Sequence, residues 1–155
     1  MEITAFEERY QSQVIDFILR IQQEEFELSI SLDEQPDLLD IKKYYPNRFW
    51  LATEKEQVIG CIGLVLLDND NVALKKMFVH SAARQKGVGK LLMVQFMNYC
   101  QKCGIHSVFL GTTSRFKAAQ YFYQKVGFAE ITKDNLPDDF PILDVDDRFY
   151  QFHLN

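Results

Sequence analysis

Two glycines, Gly87 and Gly89, stand among basic residues where a predicted strand (residues 72–79) gives way to a predicted helix (residues 88–103). The unpaired N–H groups at the start of a helix, together with its dipole, form a site suited to phosphate. Glycine allows close approach of the backbone because it has no Cβ. We call the Arg-Gln-Lys-Gly-Val-Gly-Lys segment of residues 84–90 the glycine turn, and it is a candidate phosphate site.

Two common nucleotide motifs do not fit the glycine turn. A nucleoside-triphosphate loop needs glycine five positions before Gly89 and Ser or Thr after Lys90, where this chain has Arg84 and Leu91. A dinucleotide fingerprint needs a third glycine, and Leu92 occupies that position. Neither of these two motifs therefore accounts for the glycine turn.

The elements that position the turn follow from hydrophobic periodicity and turn residues. Helices are predicted at residues 8–25, 88–103 and 116–126. Strands are predicted at residues 3–6, 49–53, 58–67, 72–79 and 107–111, after Gly127, and at 148–154, while residues 31–37 and 133–147 are expected to be loops. Strand–helix–strand steps imply a parallel pair. The order predicts an α/β fold with a central mixed β-sheet flanked by helices, in one domain over residues 1–155.

Composition excludes several classes of partner. The chain has 155 residues, 47% of them hydrophobic, and a formal charge of −5, with its basic residues scattered. We therefore expect no nucleic-acid partner and no anionic membrane surface. The longest apolar stretch, residues 58–67, is too short for a membrane span. Three cysteines without a secretory signal predict reduced thiols in a cytoplasmic protein.

Three further segments accompany the glycine turn in a fixed order. The strand of residues 74–79 enters it, a strand follows at residues 108–112, and the pattern Ala119-x-x-x-Tyr123-x-x-x-Gly127-Phe128 closes the series. Together with Arg-x-x-Gly-x-Gly, this combination over residues 74–128 resembles the GNAT acetyltransferases, which bind acetyl-coenzyme A. The resemblance implies the GNAT acyl-CoA N-acyltransferase fold.

The resemblance also implies how the cosubstrate is held. Main-chain groups of Met77, Phe78 and Val79 would pair with the pantetheine arm, and one of their N–H groups would face the thioester oxygen. The pyrophosphate would be wrapped by the amides of Gln85, Lys86, Gly87, Val88, Gly89 and Lys90. Arg84 and Lys90 would add positive charge.

By the same resemblance, Tyr123 is the candidate catalytic residue, because it occupies the position of a tyrosine that protonates the departing sulfur. The alternative is a tyrosine that faces the core. Where the family commonly has Asn, this chain has Phe116, so one cofactor hydrogen bond is missing or comes from Ser114 or Arg115.

No residue is singled out as the general base. The candidates are Glu24, Glu25, Glu27, His80 and water. Relatives often carry a carboxylate on the strand before the loop, where this chain has Lys75 and Lys76. One lysine would face an acceptor that carries a carboxylate or phosphate, or else the charge would pair with Asp68 or Asp70 in the hairpin.

The reaction expected from these residues is direct acetyl transfer from acetyl-coenzyme A to a primary amine of a small molecule or peptide. The alternative is a non-catalytic acyl-coenzyme A sensor of the same fold. No metal is expected, because the Cys100-x-x-Cys103 pair has no second pair to complete a zinc site. A monomer and a homodimer are both compatible with the sequence.

Overall fold

The computed structural model describes residues 1–154, and its strands form one seven-stranded mixed sheet. The strands are β1 (Glu2–Ala5), β2 (Phe49–Glu54), β3 (Gln57–Leu66), β4 (Asn71–Val79), β5 (Ser107–Thr112), β6 (Ala129–Ile131) and β7 (Arg148–His153). The α-helices are α1 (Gln11–Leu19), α2 (Ile41–Tyr44), α3 (Val88–Lys102) and α4 (Lys117–Val126). The strand order is β1-β2-β3-β4-β5-β7-β6, which confirms the predicted mixed-sheet α/β class.

The chain divides into two compact units. The first comprises residues 1–64 and 75–99, and the second comprises residues 65–74 and the chain from residue 100 onward. The assignment of residues 1–155 to a single domain stays a prediction.

The first unit contains the antiparallel strands β1, β2 and the greater part of β3. Residues of β3 are buried on both faces, as its unbroken apolar run predicts. The β2–β3 connection is a two-residue turn at Lys55 and Glu56, and both residues have positive φ (51° and 64°). Such a turn usually carries Asn or Gly, so the residue types at these two positions do not predict it.

The predicted helix of residues 8–25 is helical throughout but changes type along its length. A 3₁₀ turn (Glu8–Tyr10) precedes α1, and a π-helical segment (Arg20–Glu25) follows it. In that segment the Phe26 N–H donates to the Ile21 carbonyl over 3.1 Å, which is the i to i−5 spacing of a π-turn. The wider turn places Ile21 and Gln22 side by side in the interior.

The predicted loop of residues 31–37 is mostly short helices. Two 3₁₀ helices, Leu32–Glu34 and Pro36–Asp40, lead directly into α2. Ser31 and Glu34 form a capping box at the first, and Pro36 begins the second. Proline suits a first helical position because its missing N–H has no acceptor there. The prediction of an irregular loop was wrong here.

The second unit contains the start of β4 paired in parallel with β5, in the register Asn71 to Ser107 through Ala73 to Phe109. The predicted parallel pair is thus confirmed. The turn before β4 has Asn69 and Asp70 at φ 61° and 58°. Strand β7 lies between β5 and β6 and is antiparallel to both.

Within residues 1–154, none of the helices combines the length and the apolar character needed to cross a bilayer.

Candidate functional site

The glycine turn leads directly into the N-terminus of α3. The first helical hydrogen bond runs from the Leu91 N–H to the Gly87 carbonyl over 3.0 Å. By helix geometry, the N–H groups of residues 87–90 therefore have no acceptor within the helix. Gly87 has φ +84°, and a Cβ built there meets no atom within 4 Å. The turn thus fits a diphosphate held by backbone N–H groups, with Lys86 and Lys90 beside it.

A glycine in the preceding hairpin sets the position of α3. A Cβ built on Gly60 would lie 3.0 Å from Leu92 Cδ1 and 3.2 Å from Val88 Cγ1. The first turns of α3 therefore rest directly on β3, which fixes where the glycine turn begins. Nothing in the local sequence around Gly60 marks this contact, because its partners lie about 30 residues further along the chain.

The end of β4 carries the three residues expected to pair with a pantetheine arm. Met77, Phe78 and Val79 are all half-buried. Just before them Lys76 has φ +55°, a left-handed conformation that breaks the regular strand. Its carbonyl accepts a hydrogen bond of 3.2 Å from Cys61 Sγ. The irregularity is therefore held in place from the neighbouring strand.

Arg84 is bound to protein groups of the same unit. Both of its terminal nitrogens donate to the carboxylate of Glu25, one of them over 2.9 Å to Oε1. Its Nε donates to the Val79 carbonyl over 3.0 Å. The role of Arg84 as added charge for a pyrophosphate stays a prediction. In this structure its guanidinium binds Glu25 and the Val79 carbonyl.

The candidate bases differ in their surroundings. Glu25 is held by Arg84, and Glu24 is largely exposed at 3.8 Å from Arg20. His80 Nδ1 accepts from the Ala82 N–H over 3.1 Å and so caps a short 3₁₀ turn. Glu27 has φ +53° where the chain leaves the π-helical segment. No base is assigned by these contacts.

A buried polar cluster lies beside the end of β4 in the first unit. Lys76 Nζ donates to Gln35 Oε1 over 2.5 Å and lies 3.7 Å from Asp37 Oδ2. The Tyr45 hydroxyl donates to the same Asp37 oxygen over 2.5 Å. Gln22 and Gln35 exchange two amide hydrogen bonds of 3.0 Å and 2.8 Å.

One lysine of the strand thus has an acidic partner, because Lys76 forms its ion pair with Asp37 and its side chain is 2% exposed. The pairing of a strand lysine with Asp68 or Asp70, and the contact of one lysine with the acceptor, stay predictions. Burial, and after it the charge of Asp37, raises the pKa of the Tyr45 hydroxyl well above its ordinary value.

Tyr123, the candidate proton donor, lies in the second unit on α4. It is 5% exposed and packs among aromatic rings, with ring centroids 5.7 Å from Phe128 and 6.3 Å from Tyr150. Burial, and after it the nearby carboxylate of Asp146, raises the pKa of the hydroxyl. This environment is that of a tyrosine that faces the core, and the role of Tyr123 as proton donor stays a prediction.

Phe116 is the residue that precedes the first turn of α4, and it supplies no side-chain cap. The nearby backbone is fixed by Asp147, which accepts from the Ser114 N–H over 2.7 Å and from its hydroxyl over 3.0 Å. The Arg115 N–H donates to Thr113 Oγ1. A cofactor contact from Ser114 or Arg115 stays a prediction.

Comparison with known proteins agrees with this geometry. The model of the acetyltransferase (GNAT) family matches residues 15–128. An N-acetylaspartate synthetase from Danio rerio is 33% identical over 100 residues, covering 61% of this chain and 36% of that protein. The chain thus spans about a third of the length of that curated relative.

Solved structures match over the whole chain. A GNAT-family acetyltransferase from Staphylococcus aureus Mu50 is 43% identical with a TM-score of 0.97, covering 99% of each chain. A Salmonella typhimurium protein solved with its cofactor acetyl-CoA shares the fold, at 17% identity and a TM-score of 0.71, covering 100% of this chain and 94% of that one. The chain belongs to the GNAT acetyltransferase family.

Proposed function

We propose that this protein is an acetyl-coenzyme A-dependent N-acetyltransferase whose acceptor is a primary amine of a small molecule or peptide. The observation that carries the proposal is the glycine turn, which leads into α3 with N–H groups that lack helical acceptors and with open space around Gly87. Acetyl-coenzyme A supplies an activated thioester to such a site. The chain's own residues bind it, orient it and move protons.

Each group has a defined task in this proposal. The N–H groups of residues 87–90 bind the pyrophosphate, and Lys86 and Lys90 add charge. The main chain of residues 77–79 holds the pantetheine arm and polarises the carbonyl. The Tyr123 hydroxyl holds the proton for the leaving sulfur. The amine proton goes to a carboxylate or to water.

The acceptor class is drawn from the curated relatives. The Danio rerio protein is named for N-acetylaspartate, an N-acetylated amino acid. An acceptor panel therefore begins with aspartate and glutamate, followed by other amino acids, a peptide with a free N-terminus and a polyamine.

The test is thermal unfolding with acetyl-coenzyme A, followed by measurement of free-thiol release with the acceptor panel. At a hundred times its dissociation constant, the ligand should add about 2.7 kcal/mol to the free energy of unfolding. Stabilisation with amine-dependent thiol release supports an enzyme. Stabilisation without release from any amine would favour the acyl-coenzyme A sensor, and no stabilisation would overturn both.

A further inference from the structure

Arg84 and Glu25 were each candidates for separate tasks, and the structure places them together. Glu25 ends the π-helical segment, and both of its carboxylate oxygens accept from the Arg84 guanidinium. The Glu25 side chain is 33% exposed and the Arg84 side chain is 30% exposed, so the pair is neither deeply buried nor freely solvated. A bidentate guanidinium–carboxylate pair fixes orientation as well as distance.

Two further contacts extend the pair to β4. The Arg84 Nε donates to the carbonyl of Val79, the last residue of the strand. The Arg84 Cζ lies 5.6 Å from the centre of the Phe26 ring, within reach of a cation–π contact. One guanidinium thus connects the end of the π-helical segment with the end of the strand.

This geometry conflicts with a phosphate-binding task for Arg84 and with a base task for Glu25. Three of the five N–H groups of the guanidinium are directed at Glu25 and Val79, so neither edge of its fork is free for a bidentate contact with phosphate. Both carboxylate oxygens of Glu25 already accept from the guanidinium, so neither is free of the ion pair to approach an amine.

We propose that Arg84 is a positioning residue, which holds the end of β4 against Glu25 and Phe26 and so sets the position of the backbone that binds the thioester. This inference rests on the proposed function. In it, Arg84 does not contact the phosphate and Glu25 is not the general base. The pair acts on the chemical step through the main chain at Val79.

The experiment compares two acetyl donors, acetyl-coenzyme A and S-acetylpantetheine, which lacks the pyrophosphate. In Arg84→Ala, kcat should fall about 10- to 100-fold with both donors, because a displaced strand end misplaces the thioester of either one. Coenzyme A affinity, measured by calorimetry, should stay within about twofold. Lys86→Ala should show the opposite pattern in calorimetry, with weaker coenzyme A binding, because its charge is proposed to lie beside the pyrophosphate.

The partner variants make the test specific. Glu25→Gln should lower kcat as Arg84→Ala does. The kcat of the double variant should be no lower than that of either single variant, because all three variants break the same contact. Arg84→Lys should restore only part of the rate, since an ammonium group cannot reproduce the fork.

Two results would overturn the inference. One is a coenzyme A affinity that falls about tenfold or more in Arg84→Ala while S-acetylpantetheine turnover is unchanged, which is the behaviour of a phosphate ligand. The other is loss of stability with normal kcat for both donors. If the wild type acetylates no amine, the proposed function fails by itself, and calorimetry on Arg84→Ala still decides whether Arg84 contacts the pyrophosphate.

Discussion

The ammonium group of Lys76 lies 2.5 Å from the side-chain oxygen of Gln35, and both residues are buried. Lys76 also has the positive φ that interrupts β4 just before Met77. The same residue therefore bends the strand with its backbone and anchors the segment of residues 31–45 with its side chain. Changes at Gln35 or Asp37 should reach the end of β4 through this lysine.

Removal of the Lys76 charge should destabilise the fold. Lys76→Met leaves Asp37 without its cation, and breaking such a pair costs about 3 kcal/mol when the partner is mostly buried. Urea unfolding measures the loss. The double variant with Asp37→Asn should recover part of it, because the remaining charge is then gone. Equal stabilities for wild type and Lys76→Met would contradict this account.

Replacement of Gly87 and of Gly104 by alanine should distinguish the destabilisation caused by left-handed backbone strain from the loss of coenzyme A affinity. Gly87 and Gly104 have φ values of +84° and +69°, and a Cβ at either meets nothing within 4 Å. Both alanine variants should therefore lose about 1 kcal/mol of stability from left-handed strain alone. Only Gly87→Ala should bind coenzyme A more weakly, by about tenfold, because its methyl group projects from the phosphate-binding backbone.

Calorimetry on the two variants checks this difference, and Gly104→Ala is the matched control. Equal coenzyme A affinity in both variants would remove the ligand from the glycine turn.

Replacement of Tyr123 should slow the reaction without affecting binding. Tyr123→Phe keeps the ring among Phe128 and Tyr150 but lacks the hydroxyl, so kcat should fall about 100-fold, as expected for a lost general acid. The dissociation constant for coenzyme A should not change. Tyr121, which is 69% exposed on the same helix, provides the matched Tyr→Phe control. Normal turnover in Tyr123→Phe would leave the residue as a core aromatic only.

The stability of the protein should fall in alkaline solution, in part because of one thiol. Burial raises the pKa of Cys61 to about 12. In the unfolded chain a thiol loses its proton near about pH 8.5, so above that pH the unfolded state binds fewer protons than the folded state. The free energy of unfolding therefore falls with rising pH, by up to about 1.4 kcal/mol per unit for this group.

Denaturant unfolding between about pH 9 and 11 tests the contribution of this thiol. Cys61→Ala should show a shallower decline than the wild type, whereas Cys103→Ala, which changes an exposed cysteine, should not. Parallel declines in all three proteins would argue against a role for Cys61.

Local patterns in the sequence predicted most elements of the fold and the place of the glycine turn. The helix predicted at residues 88–103, for example, is α3 (Val88–Lys102). The insertion of β7 between β5 and β6 was not predicted, since strand pairing between distant segments leaves no periodic signal. The same reason applies to the pair of Arg84 and Glu25, which are 59 positions apart.

The lysine pair on β4 shows a second limit. Alternation along a regular strand places Lys75 and Lys76 on opposite faces, but both residues are buried and Lys76 departs from strand geometry. Its acidic partner lies in a segment whose composition indicated a loop. Because Lys76 departs from regular strand geometry, the alternation of side chains along a strand could not predict the direction of its side chain.

The π-helical segment contains one residue more than the pair of Arg84 and Glu25 requires. A π-turn holds about one residue more than an α-turn, so deletion of a single residue between 20 and 25 would convert this segment into an α-turn and leave the residues on either side of it on their present faces. Val14 and Ile18 would stay in the core and Glu25 would still face Arg84, whereas Ile21 and Gln22 would no longer both be held in the interior. In an alignment of GNAT sequences, a one-residue gap at this turn would therefore be compatible with the pair of Arg84 and Glu25.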